Sequence, residues 1–345
     1  MALTDIWFLL IAVLWTGYFV LEGFDFGVGA LLHVVGRDET DRRVAINTIG
    51  PVWDGNEVWL LVAGGATFAA FPEWYASLFS GFYLPLLIIL VALIVRGVAF
   101  EFRGKIDSDR WRRNWDRAIV FGSVVPAVLW GVAFANIIRG VPLDADHEYT
   151  GTLFTLLNPY ALLGGLATLA LFVLHGAVFL TLKTHGPVRE RAVTIARGFG
   201  LAAVVAGGAF LLWTEVAYGA GWTLASVVVA AAALLGALWL VNGRDGWAFT
   251  LTALAIVATT VTLFGSLYPD VLPSSTDPAN SLTTTNAAST PYTLTIMTWV
   301  AAAFTPIVLL YQGWTFWVFR RRIGRADIPP PAGLPARARA AEAAR

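Results

Sequence analysis

Two pairs of acids interrupt the first two apolar stretches of this 345-residue chain. Glu22 and Asp25 lie inside the run 6–35, and Asp54 and Glu57 lie near the start of the run 51–71. Each pair has i, i+3 spacing, so each occupies one face of a helix. An ionisable group in low-dielectric surroundings is costly and marks a site by default. Carboxyls that are desolvated and close together can exchange protons near neutral pH. The chemistry these residues offer is proton carriage, with ion binding and structural anchoring as the competing readings.

The elements that position the acids read as membrane spans. The chain is 57% hydrophobic and only 13% charged, against about 25% charged residues in soluble domains; its mean hydropathy is +0.69. A spanning helix needs roughly 20 mostly apolar residues. Nine runs qualify: 6–35, 51–71, 75–100, 116–138, 157–182, 197–218, 222–241, 246–268 and 292–319. The expected fold is all-α: one polytopic membrane domain over 1–323, followed by a Pro-, Ala- and Arg-rich cytoplasmic tail over 324–345 that reads as disordered. The first run is longer than a signal-peptide core and carries two acids, so it reads as a retained span.

Alternate loops of the nine-span arrangement collect 22 of the 23 Lys and Arg residues, Arg96 counted among them; only Arg139 falls opposite. The positive-inside rule then places the N-terminus outside and the C-terminus in the cytoplasm. Both acid pairs fall in the cytoplasmic half. Asp25 lies about ten residues before the end of its run, roughly 15 Å at helical rise, and a loop of 36–50 joins the two spans. Packed antiparallel, they would form a ladder of four carboxyls from the cytoplasmic surface inwards. Trp53 and Asn56 in the second run are supporting residues, and Trp53 with Trp59 flanks the second pair.

Plainer readings stand beside this one. Asp54 and Glu57 follow Pro51, as first-turn acids that complement the helix dipole do. Asp25 could pair with an arginine or cap a break at Gly23, Gly27 and Gly29. Glu22 could face a neighbouring subunit or a buried hydrogen-bond partner. Glu101, Asp116 and Glu215 sit near helix ends, where basic neighbours such as Arg103 and Arg117 would pair with them. Gly23, Gly27, Gly64 and Gly65 are small residues that allow close helix approach. Trp7, Trp74, Trp222 and Trp247 sit at span ends and read as interfacial anchors. The loop 139–158 is acidic, and the loop 269–291 has no Lys or Arg and reads as ordered or semi-ordered and external.

Cysteine is absent, which removes disulfides, iron–sulfur clusters and thiolate metal sites. No phosphate-binding glycine motif, Ser/His/Asp arrangement or nucleic-acid signature is present; topology and anionic lipid account for the basic loops. The four histidines are His33, His147, His175 and His185, and the two methionines are Met1 and Met297. Only His175 lies well inside a span, and it reads as a hydrogen-bonded packing residue. Haem needs axial ligands, commonly His or Met. This chain could not by itself hold several haems; if it belongs to an electron-transfer complex, the redox cofactors sit in another subunit.

The run Glu22-Gly-Phe-Asp-Phe-Gly-Val-Gly29 resembles the glycine-rich acidic motif in helix 1 of subunit II of cytochrome bd-type quinol oxidases. Pro51-Val-Trp-Asp-Gly-Asn-Glu-Val-Trp-Leu60, followed by Ala63-Gly-Gly-Ala66, is similar to that subunit's second helix and is the most specific piece. Phe79-Ser-Gly-Phe-Tyr83, Leu156-Leu-Asn-Pro159, Pro273-Ser-Ser275 and Met297-Thr-Trp299 also resemble family segments. The likeness covers nearly the whole membrane region. It departs from longer members between the sixth and seventh spans, joined here only by about 218–222.

The resemblance implies a complex with a haem-bearing subunit I that holds two b-type haems and one d-type haem. That complex oxidises quinol and reduces oxygen to water, drawing protons from the cytoplasm without pumping, in the bacterial cytoplasmic membrane. It implies that subunit II lacks haem ligands, that Asp54 is the entrance of a proton path, and that Asp25 is a second candidate, with Glu57 and Glu22 as relay or supporting groups. A quinone bound in this subunit occurs in parts of the family; the resemblance leaves open whether this chain holds one, as it does small accessory subunits. Two rival readings come from other classes: a proton-coupled secondary transporter, which also uses intramembrane acids, and a structural scaffold whose acids hold a subunit interface.

Overall fold

The computed structural model describes residues 2–330 and 333–335. The helices among them are α1 (Leu3–Ala30), α2 (Leu32–Val35), α3 (Glu39–Ile49), α4 (Trp53–Ala70), α5 (Pro72–Gly81), α6 (Tyr83–Phe102), α7 (Asp109–Arg139), α8 (Pro159–Lys183), α9 (Pro187–Tyr218), α10 (Thr223–Leu240), α11 (Asp245–Leu267) and α12 (Pro291–Val318).

α1 is the central pillar, packed against α4, α7, α8 and α11. Its close fit to α8 depends on glycine. A Cβ on Gly27 would lie 1.9 Å from the Phe172 carbonyl oxygen and 2.8 Å from the Gly176 Cα, so two backbones meet there without side chains between them. Nearer the other end of α1, Trp15, Tyr18 and Phe19 interlock edge-to-face or tilted with Trp130 and Phe134 of α7 and Phe172 of α8. Caps set the starts of several long helices. Ser108, Asn158 and Thr290 each accept the backbone N–H three residues on, which satisfies a donor the first turn leaves free. Gly140, at φ +81°, turns the chain out of α7, a conformation that side-chain-bearing residues disfavour.

The structure corrects several expectations. Among the described residues eight helices, α1 and α6–α12, are by themselves long and apolar enough to cross a membrane. The run 51–71 forms the 18-residue α4, the least apolar of the nine expected runs because Asp54, Asn56 and Glu57 make its first two turns polar. The run 75–100 is split into α5 and α6 at Phe82, and the run 6–35 is interrupted at Leu31. The linker 36–50 is largely the helix α3, capped by Asp38. Arg96 is no loop residue: it sits inside α6 with no exposed surface. Trp7 and Trp74 are buried, whereas Trp222 and Trp247 are exposed. Trp7 turns inward because its indole N–H reaches Thr298 at 3.1 Å. Gly64 and Gly65 face open space, so close packing is not their role within this chain.

The loop 269–291 is ordered. Asp270–Leu272 pairs antiparallel with Leu282–Thr283, and Val141 N donates to Pro273 O at 3.0 Å. Within the expected tail, Arg325 bridges Asp38 and Asp41, and Arg43 donates to Pro329 O at 2.6 Å. Leu334–Pro335 pairs with Ile106–Asp107. Residues 331–332 and 336–345, also assigned to that tail, lie outside the described residues.

Candidate functional site: a buried carboxyl cluster

The first two acids fall on the inward face of α1, near the end of the bundle that carries most of the basic loops. Asp25 has no exposed surface. Its Oδ2 accepts a 2.7 Å hydrogen bond from Asn56 Nδ2, projecting from α4. Asn56, equally buried, also reaches Leu21 O at 3.4 Å, and its own Oδ1 accepts from Gln312 Nε2 of α12 at 3.0 Å. A side chain with both a donor and an acceptor end can bridge a carboxylate and an amide in this way.

Glu22 lies one turn earlier on α1, also without exposed surface, and forms an ion pair with Arg96 of α6. The Arg96 guanidinium lies 4.8 Å from the ring centre of Phe26 and 5.4 Å from that of Phe100. Trp53 stacks obliquely on Phe100 at 5.1 Å and so covers this side of the cluster. Glu22 Oε2, Asp25 Oδ1 and Arg96 Nε and Nη2 have no hydrogen-bond partner among the described residues. Such atoms are rare in folded interiors.

The second pair does not join the first as a compact foursome. Glu57 is half-buried and lies within electrostatic range of Asp54 on one side and of Glu22, Asp25 and Arg96 on the other. Asp54 is exposed, and among the described residues its carboxylate accepts just the next N–H, that of Gly55, at 2.8 Å. The ladder is therefore graded: an exposed acid, a half-buried one, then two fully buried ones.

The basic end beside the cluster is tied together by ions. Arg103 binds Asp116 and Glu39, Arg42 approaches Asp116 at 3.1 Å, and Arg191 binds Asp41. Asp116 thus pairs with Arg103 and Arg42 rather than Arg117. Glu215 accepts from Thr223 Oγ1 at 2.7 Å rather than from a cation. Burial and its carboxylate partners work in opposite directions on Arg103, and the partners prevail, keeping its guanidinium above the ordinary arginine value.

His175 is a packing residue, as expected. Its ring nitrogens engage Thr252 Oγ1 at 2.7 Å and Val20 O at 3.1 Å, and its ring stacks on Phe249. Among the described residues no group of three or more His, Cys, Asp or Glu could hold a metal ion.

Two members of the site escaped sequence reading. A division of the chain into spans and loops places Arg96 with the basic loops, although a cation inside an apolar run is itself a signal of a buried partner. Gln312 is a single amide in the last third of α12, and nothing in the sequence ties it to Asn56.

With the geometry in place, comparison with known proteins is informative. The family model for cytochrome bd terminal oxidase subunit II matches residues 3–319. The chain is 42% identical over 332 residues to cytochrome bd ubiquinol oxidase subunit 2 of Bacillus subtilis, covering 94% of this chain and 98% of that protein. It is 39% identical over 365 residues to cytochrome bd-I ubiquinol oxidase subunit 2 of Escherichia coli, covering 94% and 96%. In fold it is similar to a chain of the bd oxidase from Geobacillus thermodenitrificans, with a TM-score of 0.75 at 18% identity over 92% of this chain and 97% of that one.

Proposed function

The chain belongs to the cytochrome bd terminal oxidase subunit II family, and from that premise we propose that its graded acids carry protons from the basic end of the bundle towards the oxygen-reduction site of a haem-bearing partner. It is a membrane-spanning subunit of a quinol oxidase, an oxidoreductase of respiration. Its basic end is the cytoplasmic one under the positive-inside rule. The partner, subunit I, holds the b- and d-type haems and supplies the electron chemistry. This chain supplies protons and a docking face.

The observation that carries this reading is the burial gradient from Asp54 through Glu57 to Asp25. Asp54 meets solvent and can exchange with it. Glu57 is the intermediate group, and Asp25 the deep one, with Glu22 beside it as a supporting group. Reduction of oxygen to water consumes protons at a site that must exclude bulk water, so a line of ionisable side chains is the economical supply.

The docking face is the side formed by α4, α6 and α12. The most apolar stretch of α12 is only 6% buried within this chain, and it presents Trp299, Phe304, Leu310, Tyr311 and Trp314 outwards. The half-buried Gln312 amide on this helix fits a protein cover better than a lipid one, because hydrocarbon leaves polar groups unpaired. Covering this face would make the chain a stabilising partner for subunit I. For a quinone in this chain, the cleft between α1 and α11 has a volume of about 570 Å³, apolar walls at Phe8, Val13 and Phe264, and Asp5 and Tyr268 at one end, which suits an isoprenoid chain with a polar head. The secondary-transporter reading loses its ground because the family match spans residues 3–319.

The test is Asp54→Asn and Asp25→Asn in the intact two-subunit oxidase, with haem content and oxygen consumption measured together. Retained haem with oxygen consumption reduced roughly 10-fold or more supports proton carriage. Full oxygen consumption in both variants contradicts it, and loss of haem in both would make the acids structural.

A further inference from the structure

Resting on the proton-carriage reading, we infer that Arg96 is a positioning residue: it holds Glu22 as a fixed, charge-balanced pair, so that Asp25 alone of the two buried acids exchanges protons.

Arginine keeps its charge in any protein setting. A guanidinium with no exposed surface, flanked by Phe26 and Phe100, therefore needs one anion in contact. That contact is Glu22. Asp25 lies within electrostatic reach of Arg96 and Glu22 but forms no ion pair with Arg96 among the described residues; its hydrogen bond runs to Asn56 on α4. The ionisable groups within reach of the pair among the described residues are Tyr18 and Asp25 on α1 and Glu57 on α4; all three are acids, and Arg96 is their common cation. One cation balances one carboxylate, and the carboxylate in contact with it is the one that stays ionised.

The surroundings hold Arg96 in place and leave Asp25 free to change state. On the α7 side, a Cβ on Gly122 would lie 2.5 Å from both Ala92 O and Arg96 Cβ, so α7 presses directly on the α6 backbone at this residue. At Asp25, Asn56 Nδ2 donates to Oδ2 whether the carboxyl is ionised or protonated at Oδ1, since an oxygen keeps acceptor capacity in both states. Oδ1, without a partner among the described residues, is the atom that gains and loses the proton. In transit the proton leaves Glu57 or a neighbouring donor, bonds to Asp25 Oδ1, and departs towards the partner, with Glu22 and Arg96 unchanged.

The experiment is a double-mutant cycle in the intact oxidase: Glu22→Gln, Arg96→Gln, the double variant, and the double variant with Asp25→Asn added. Haem content and oxygen consumption are read for each. Either single change leaves a buried charge uncompensated, and haem-loaded complex or oxygen consumption falls about 10-fold or more. The double variant removes both charges at once and recovers both readouts to within about 3-fold of the parent. Adding Asp25→Asn to it abolishes oxygen consumption while haem stays. A double variant as impaired as the singles, whether unassembled or assembled and inactive, overturns the assignment, as does full activity of Glu22→Gln alone. If instead Asp25→Asn is fully active in the parent enzyme, the proton-carriage reading itself fails, whatever the cycle shows.

Discussion

Asn56 holds Asp25 from a different helix: its Nδ2 sits 2.7 Å from Asp25 Oδ2, across 31 residues of sequence. The opposite end of the same side chain takes a hydrogen bond from Gln312, 256 residues further on. One amide thus ties the deep acid of α1 to the outermost helix of the bundle.

Replacing Asn56 with Leu leaves Asp25 Oδ2 buried without its donor. Removing one partner of a buried pair costs about 1–3 kcal/mol, so Asn56→Leu is expected to lower the melting temperature of the complex and to slow oxygen consumption. Gln312→Leu takes one donor from the buried Asn56 Oδ1 but leaves the Asn56–Asp25 bond in place, and should cost less, about 1 kcal/mol. Thermal melting of the two purified complexes checks the order; an equal or larger effect of Gln312→Leu would break the proposed chain.

Gly27→Ala places a methyl group 1.9 Å from Phe172 O. Neither backbone can yield cheaply, so α1 and α8 must separate, at a cost of about 1–3 kcal/mol. A fall in haem-loaded complex recovered from membranes is the expected result. Gly64→Ala, where no atom lies within 4 Å, is the matched control and should be silent unless the partner packs there.

The α12 face separates partner from lipid. Phe304→Ala and Leu310→Ala remove exposed apolar groups, 61% and 75% accessible within this chain. If they meet a partner, at least one should cost more than about 1 kcal/mol of association. Leu201→Ala and Val205→Ala, equally exposed on α9, should cost none. Haem co-purified per chain, after graded detergent challenge, reads the difference.

Asp38 supplies a pH dependence at the basic end. Its carboxyl lies below the ordinary aspartate range, held there first by the Asp41 N–H and then by Arg325. A depressed value means that its contribution is complete above the unfolded value of about 3.9 and is lost as pH falls through the lower folded value. The hydrogen-exchange protection factor around 323–328, corrected for the intrinsic pH dependence of amide exchange, is therefore expected to stay flat from pH 8 to about 5 and to fall only below about pH 4. Because the pair is exposed, Arg325→Ala should shift global stability by less than about 1 kcal/mol.

Composition, apolar run length and the asymmetry of Lys and Arg were enough to establish an all-α membrane protein with its acids near one end. These are one-dimensional signals: a bilayer selects for length and hydropathy, and both are written along the chain. The Trp53–Glu57 and Glu22–Gly29 motifs likewise carried the family. Run length did not show the breaks at Leu31 and Phe82, and it was least telling where polar and apolar demands met in one segment, as in α4, whose first turns are acidic although the helix packs against α1. What the tertiary structure alone decided is which polar groups meet. Glu22 finds Arg96 across 74 residues, Asp25 finds Asn56 rather than Asp54, and Asp54 stays in solvent. Helical spacing says which side chains share a face; it is silent on which face of which other helix comes opposite. That pairing depends on how α1, α4 and α6 are set against one another within a bundle whose glycines seat α1 on α8 and α6 on α7, so the grading of four similar acids into exposed, covered and buried is a property of packing.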